Sequence, residues 1–233
     1  MGVYIALLCV GVLLVASYLF LRTKKPSLVA VFIKIGASLI FISICAYGLY
    51  LHHHVILPLM FVIGMVFGML GDILLDLKYV FPEQDKMFTY SGFITFGIGH
   101  IFFISGMFRD LYHNESILYV ILPFIFGLLM AVVTLLMQKP MKLKYGDMTL
   151  IVAIYAFILF SMTGTAISLS ILNKFMSTTL ILLTIGGALF AISDLVLSQA
   201  YFGGKEKDPI VIILNICTYY SAQYLLASAI FFI

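Results

Sequence analysis

Apolar runs of about twenty residues follow one another along the whole 233-residue chain, and no connection between them exceeds about a dozen residues. Each run is long enough to cross ~30 Å of hydrocarbon as a helix rising 1.5 Å per residue. The blocks fall at approximately 2–21, 28–50, 55–77, 88–108, 116–137, 148–170, 178–202 and 210–232. The expectation is an all-α polytopic membrane protein: eight transmembrane helices in one bundle, a single integral-membrane domain over 1–233. Sequence neighbours are then antiparallel, and no room is left for a soluble domain. Composition agrees, since 64% of residues are hydrophobic and only 10% are charged.

Lysine and arginine are spread unevenly over the connections. One set carries Arg22, Lys24, Lys25, Lys78, Lys86, Lys139, Lys142, Lys144, Lys205 and Lys207, the other only Arg109 and Lys174. That asymmetry puts the first set in the cytoplasm and both termini outside it. The formal charge of +3 is therefore mostly a topology signal. The basic loops also lie where anionic headgroups attract them, and no nucleic-acid partner is implied. The first span has no basic residue ahead of it and runs into Arg22, Lys24 and Lys25, the pattern of a retained helix. Such a multi-pass protein belongs in the cell membrane of a bacterium or the endoplasmic reticulum of a eukaryote. Lys34, inside the second span, is expected to bend its ammonium back toward the headgroups. Cys9, Cys45 and Cys217 fall in spans without metal-ligand spacing and read as small apolar fillers. His52, His53 and His54 read as a solvated interfacial cluster rather than a metal site.

Two acids break this pattern: Asp72 in GMLGDILLDL and Asp194 in ALFAISDLVL. A carboxylate in hydrocarbon costs roughly 2.5–3.5 kcal/mol on insertion scales, so such residues face a cavity, a partner or a reaction. A weak internal repeat relates them. Laying Gly64–Tyr79 on Gly186–Tyr201 matches Gly64 with Gly186, Asp72 with Asp194, Leu75 with Leu197 and Tyr79 with Tyr201. The third and seventh spans run in the same direction, so the relation is a parallel repeat of two four-helix halves with equivalent aspartates.

From the expected span ends, Asp72 lies ~8 Å and Asp194 ~12 Å from the cytoplasmic boundary, with Tyr155 near ~10 Å. His100, Tyr219 and Gln223 come at ~14–20 Å, giving a polar column that leads inward. Tyr219 and Gln223 share a helix face at i, i+4, as do Asp72 and Asp76. Asp76 lies one residue from the expected span end and reads as an interfacial residue assisting by charge. Gly64, Gly68 and Gly71, with Gly186 and Gly187, are expected to bring the two aspartate helices together.

These residues resemble the YhhN-like lysoplasmalogenases, eight-helix membrane hydrolases of bacteria and animals. The resemblance rests on Gly71-Asp72 with Leu75, on GFITFGIGHIFF around Phe93 and His100, on GALFAISDLVLSQAYF from Gly187 to Phe202, and on TYYSAQYLLA from Thr218 to Ala227. It spans most of the chain. Ser198 stands where the family often has alanine, and the first two helices offer no motif.

The resemblance implies hydrolysis of the vinyl ether bond of a lysoplasmalogen to a fatty aldehyde and glycerophospho-ethanolamine or glycerophospho-choline. Two carboxyls suit that chemistry. One aspartic acid protonates the enol-ether carbon, and the other stabilises the oxocarbenium ion and activates water. Asp194, the deeper by the span estimate, is expected to be the acid and Asp72 the base. His100, Tyr155, Tyr219, Gln223 and Asp76 are expected to hold substrate, water or the carboxyls, with the lysolipid phosphate near Lys78, Lys144 or Lys205.

No metal or cofactor is required, since the chain carries no HExxH-like spacing. Partners are the lysophospholipid and surrounding membrane lipid, and a homo-oligomer is compatible with the sequence. The GxGD motif of presenilin-like proteases is absent, Met69 standing two residues before Gly71. The alternative reading is a small-solute or proton-coupled transporter, which repeat halves and intramembrane carboxylates also fit.

Overall fold

The computed structural model describes residues 1–24, 27–52, 56–113 and 116–233. Lys25, His53 and His54 lie outside the described residues. Eight helices long and apolar enough to span a membrane pack together: α1 (Gly2–Lys24), α2 (Leu28–Leu51), α3 (Ile56–Val80), α4 (Asp85–Leu111), α5 (Leu118–Leu136), α6 (Thr149–Leu172), α7 (Thr178–Phe202) and α8 (Pro209–Phe231). Several run beyond the apolar block that announces them. α3 continues to Val80 through Lys78, and α4 spans Asp85–Leu111 rather than 88–108. Hydropathy marks the hydrocarbon layer, whereas the backbone ladder continues wherever flanking charges find partners. Here Lys78 meets Asp85 at 3.2 Å.

The helix starts follow ordinary capping chemistry. Ser27 accepts from the Ala30 amide, Ser177 from the Leu180 amide, and Asp208 from the Ile210 amide just before Pro209. The amide of Leu57, in the first turn of α3, donates to Asp110 at the end of α4, which ties the two helices at the face opposite the basic loops.

Six helices form a ring in the order α2, α3, α4, α6, α7, α8 and back to α2, with α1 laid outside α2 and α8, and α5 outside α6. Shifting every label by four maps this ring onto itself, as a repeat of two four-helix halves requires. Tyr79 and Tyr201, equivalent in the repeat, meet with ring centroids 6.4 Å apart. The halves differ in their outer helices, because α1 touches α8 whereas α5 has no comparable contact with α4. α1 and α5 are also the least buried helices, and they offer Leu13, Leu128 and Leu129 outward as a bilayer would demand. Cys9 and Cys217 are likewise exposed, so of the three cysteines Cys45 alone fills the core.

The glycines act differently from expectation. The aspartate helices α3 and α7 share no extended contact. Gly64 and Gly99 instead seat α3 on α4, and a Cβ on either would approach the other's carbonyl oxygen within 2.8 Å. Gly71 lies under Phe96 of α4, Gly68 faces Gln223 of α8, Gly186 abuts Leu226 of α8, and Gly187 abuts Thr163 of α6. Each aspartate is thus positioned through its neighbours in the ring. Gly99→Ala, whose Cβ would sit 2.7 Å from the Gly64 carbonyl oxygen, should destabilise the protein by about 1–3 kcal/mol. A lower melting temperature in detergent is the expected result, and an unchanged one would contradict so close an approach.

Candidate functional site

Lys34 organises the site. Its ammonium lies 3.2 Å from Asp72 Oδ1 and 3.1 Å from Asp76 Oδ1, and it also donates to the Asp72 carbonyl at 3.4 Å. Only 9% of Lys34 is exposed, so the expected bend toward the headgroups does not occur. A charge inside a span is satisfied more fully by two carboxylates on the adjacent helix than by stretching to the interface. Asp76, expected at the interface, is buried too and accepts a hydrogen bond from Tyr18 at 2.8 Å.

Around Asp72 the donors are complete. Oδ2 accepts from Tyr219 at 2.7 Å and from Ser38 at 2.9 Å, while Oδ1 faces the Lys34 ammonium. A carboxyl with donors on both oxygens is an acceptor only, so Asp72 is the ionised member of the pair. Behind it, Gln223 Nε2 donates to the Tyr219 oxygen at 3.0 Å.

Asp194 has a parallel arm with different chemistry. Tyr155 donates to its Oδ2 at 2.5 Å, and His100 Nε2 lies 3.4 Å from the Tyr155 oxygen. With the phenol hydrogen committed to the carboxyl, the imidazole is the donor in that contact, which assigns its tautomer. The two arms run in the same order: Gln223 to Tyr219 to Asp72, and His100 to Tyr155 to Asp194. Among the described residues Asp194 has no ion-pair partner and its Oδ1 no protein donor. That oxygen can carry a proton.

The extended α3 also corrects the depth. Asp72 lies eight residues before Val80 and Asp194 eight before Phe202, so both stand at the same level, ~12 Å from their helix ends. The difference between them is environment, not depth.

Two cavities meet at Asp194. A polar pocket of about 60 Å³ is lined by Arg22, Lys34, Asp72, Asp76, Asp194 and Tyr219, among others, and includes Glu206 on the basic-loop side. An apolar cavity of about 390 Å³ lies against α5, α6 and α7, lined by Met130, Met137, Val152, Leu159, Ala191 and Leu195 among others. Val133, Ile192 and Leu195 on its rim are also exposed on the flank of the bundle. Phe93, Tyr155, Asp194, Leu197 and Tyr201 line both.

The sequence-predicted residues Asp72, Asp76, Tyr155, Asp194 and Tyr219 all line the polar pocket, and His100 and Gln223 are buried directly behind it. Missed were Lys34, Ser38, Tyr18 and Arg22. The signal was present: Tyr18 and Arg22, Lys34 and Ser38, Asp72 and Asp76, and Tyr219 and Gln223 are all i, i+4 polar pairs within apolar spans. Lys78, Lys144 and Lys205, expected near a phosphate, do not line the pocket.

An eight-helix bundle with two carboxyls beside a polar pocket, one of them on the seam with an apolar cavity, defines a multi-pass membrane protein. The chain belongs to the YhhN family, whose model matches residues 29–230. No curated protein and no solved structure matches it.

Because one ammonium is shared by two acids, Lys34→Met should cost about 3–5 kcal/mol, the range for breaking a buried ion pair. Adding Asp76→Asn should restore part of that loss, read as melting temperature in detergent. A single variant as stable as wild type would contradict the buried triad.

Proposed function

We propose that the protein is a lysoplasmalogenase that hydrolyses the vinyl ether bond of a lysoplasmalogen by acid–base catalysis with Asp194 and Asp72. The observation that carries this reading is the position of Asp194 on the seam between the polar pocket and the apolar cavity. In a lysoplasmalogen the vinyl ether occupies the corresponding place, joining a single hydrocarbon chain to a polar glycerophosphodiester. With the chain in the cavity beside Met130 and Leu159 and the glycerol among the charged residues, the enol ether comes to Asp194. Membership of the YhhN family supports the same reading.

The chemistry follows from the unequal surroundings of the two acids. Asp194 delivers its proton to the enol-ether carbon one bond removed from the oxygen-bearing carbon, and the π electrons form the new C–H bond. The resulting oxocarbenium ion lies near the ionised Asp72, whose charge stabilises it. Water attacks the oxocarbenium carbon and gives up a proton to Asp72. The hemiacetal then breaks its bond to the glycerol oxygen, which takes the proton from Asp72, while the hemiacetal hydroxyl returns a proton to Asp194 as the aldehyde forms. Lys34 keeps Asp72 ionised at rest, ready to take the proton from water. Tyr155 and Tyr219 fix the orientation of the two carboxyls, and His100 and Gln223 hold the phenols.

Purified protein in detergent should release aldehyde from lysoplasmenylethanolamine, and chelator should leave the rate unchanged. Asp194→Asn and Asp72→Asn should each lower kcat by about 10²–10⁴-fold, the usual contribution of a general acid or base. A folded protein that releases no aldehyde from any lysoplasmalogen would overturn the reading. Ala191→Phe, which fills the apolar cavity, should raise KM for long-chain substrates more than for short-chain ones. Equal effects on both would remove the chain from that cavity.

A further inference from the structure

We propose that Arg22, on α1, is the phosphate-binding residue of this site and selects lysolipids that carry a glycerophosphate over those that end at glycerol. The assignment rests on the lysolipid reading of the site and deepens it. It also concerns a helix that lies before the family match at residues 29–230.

Arg22 is 92% buried by its 8% exposure, yet it lines the polar pocket. Its guanidinium carbon lies 3.9 Å from the centroid of the Tyr79 ring, a cation–π contact that fixes the planar group. Among the described residues Arg22 makes no ion pair. The other cations nearby are satisfied. Lys34 is shared by Asp72 and Asp76, and Lys78, seated 3.5 Å from the Tyr201 centroid, is paired with Asp85 at 3.2 Å. Arg22 is therefore the buried cation at this pocket that has no anion in direct ion-pair contact and is supported only by the more distant charge of Asp76, which leaves its guanidinium edge open to an anionic ligand. The guanidinium fork matches phosphate oxygens in geometry and charge, and it cannot be neutralised by losing a proton.

Register supplies the second argument. Tyr18, one turn before Arg22 on the same face, holds Asp76, which is itself one turn from Asp72 toward the basic loops. Reading outward gives the reacting acids, then Asp76 with Tyr18, then Arg22. A lysolipid whose vinyl ether is at Asp194 and whose glycerol passes Asp76 brings its phosphate to Arg22. A free phosphate ion offers the same charge without this anchoring.

Binding of an uncleavable 1-O-alkyl-glycerophosphoethanolamine, of its phosphate-free 1-O-alkylglycerol counterpart, and of inorganic phosphate alone should be measured on the full-length protein in detergent. Wild type is expected to bind the phosphate-bearing lipid at least tenfold more tightly than the glycerol ether. Arg22→Gln should abolish that preference while leaving glycerol-ether binding unchanged, and Arg22→Lys should retain part of it. Inorganic phosphate should bind far more weakly than the lipid. Should Arg22→Gln fail to fold, the wild-type preference and the Arg22→Lys variant still decide the matter. No preference in wild type, equal weakening of both lipids in Arg22→Gln, an Arg22→Lys variant indistinguishable from wild type, or phosphate binding as tight as the lipid's would each overturn the assignment. The ligands are not turned over, so absence of aldehyde release would refute the hydrolysis while leaving this binding result readable.

Discussion

Lys34 stands between two carboxylates inside a bundle whose outer surface is hydrocarbon-like, and both acids in that trio depend on its one ammonium. Remove the ammonium and two acids are stranded; remove one acid and the remaining pair still balances. The trio draws α2 onto α3 at the level of the pocket, and through Tyr18 and Asp76 it recruits α1. Through Asp72 and Tyr219 it also reaches α8. Four helices are thus joined by one buried ionic cluster, where apolar packing alone would leave their rotations weakly specified. Its second effect is chemical. The lysine settles which of two equivalent aspartates is charged, and so leaves the other to carry a proton.

The repeat explains why there are two aspartates at one level, and the departure from symmetry explains why their surroundings differ. An offset of 122 residues relates Asp72 to Asp194, and the same offset sets Lys34 against Ala156 and Ser38 against Phe160. Ala156 and Phe160 both line the apolar cavity. One half is built with charge where the other is built with methyl and phenyl groups. The outer helices extend the contrast: α1 closes against α8 and brings Tyr18 and Arg22 to the polar side, whereas α5 rests mainly on α6 and leaves space beside α7. A duplicated scaffold thereby yields one polar cavity and one apolar cavity, with a single carboxyl on the seam.

Much of this was legible in the sequence because the bilayer imposes a simple code. Eight apolar runs of sufficient length mark eight helices, and acids within them mark the site, since hydrocarbon tolerates an ionised group only for a reason. The helix ends were less legible. Lys78 and Asp85 look like the close of one span and the approach to the next, but they neutralise each other, and α3 runs past Lys78 while α4 already starts at Asp85. Asp72 is consequently further from its helix end than composition suggests. Lys34 and Arg22 were misread for a related reason. A flexible cation near a span end can reach headgroups or turn inward, and the choice depends on acids and rings of other helices that no local pattern names. The glycines show the same limit, because spacing reveals that a backbone is approached closely but not by which neighbour.

The stance of α5 has a consequence for traffic. It is held mainly by α6, and the cavity it half-covers has Val133, Ile192 and Leu195 on a rim that also faces the flank of the bundle. On the proposed reaction the two products then part company in opposite directions. The hydrophilic fragment leaves through the basic mouth into water, while the aldehyde slides sideways into the lipid phase. The two exits draw on separate reservoirs, so accumulation of the aldehyde would be felt as a property of the bilayer and accumulation of the phosphodiester as a property of the surrounding fluid.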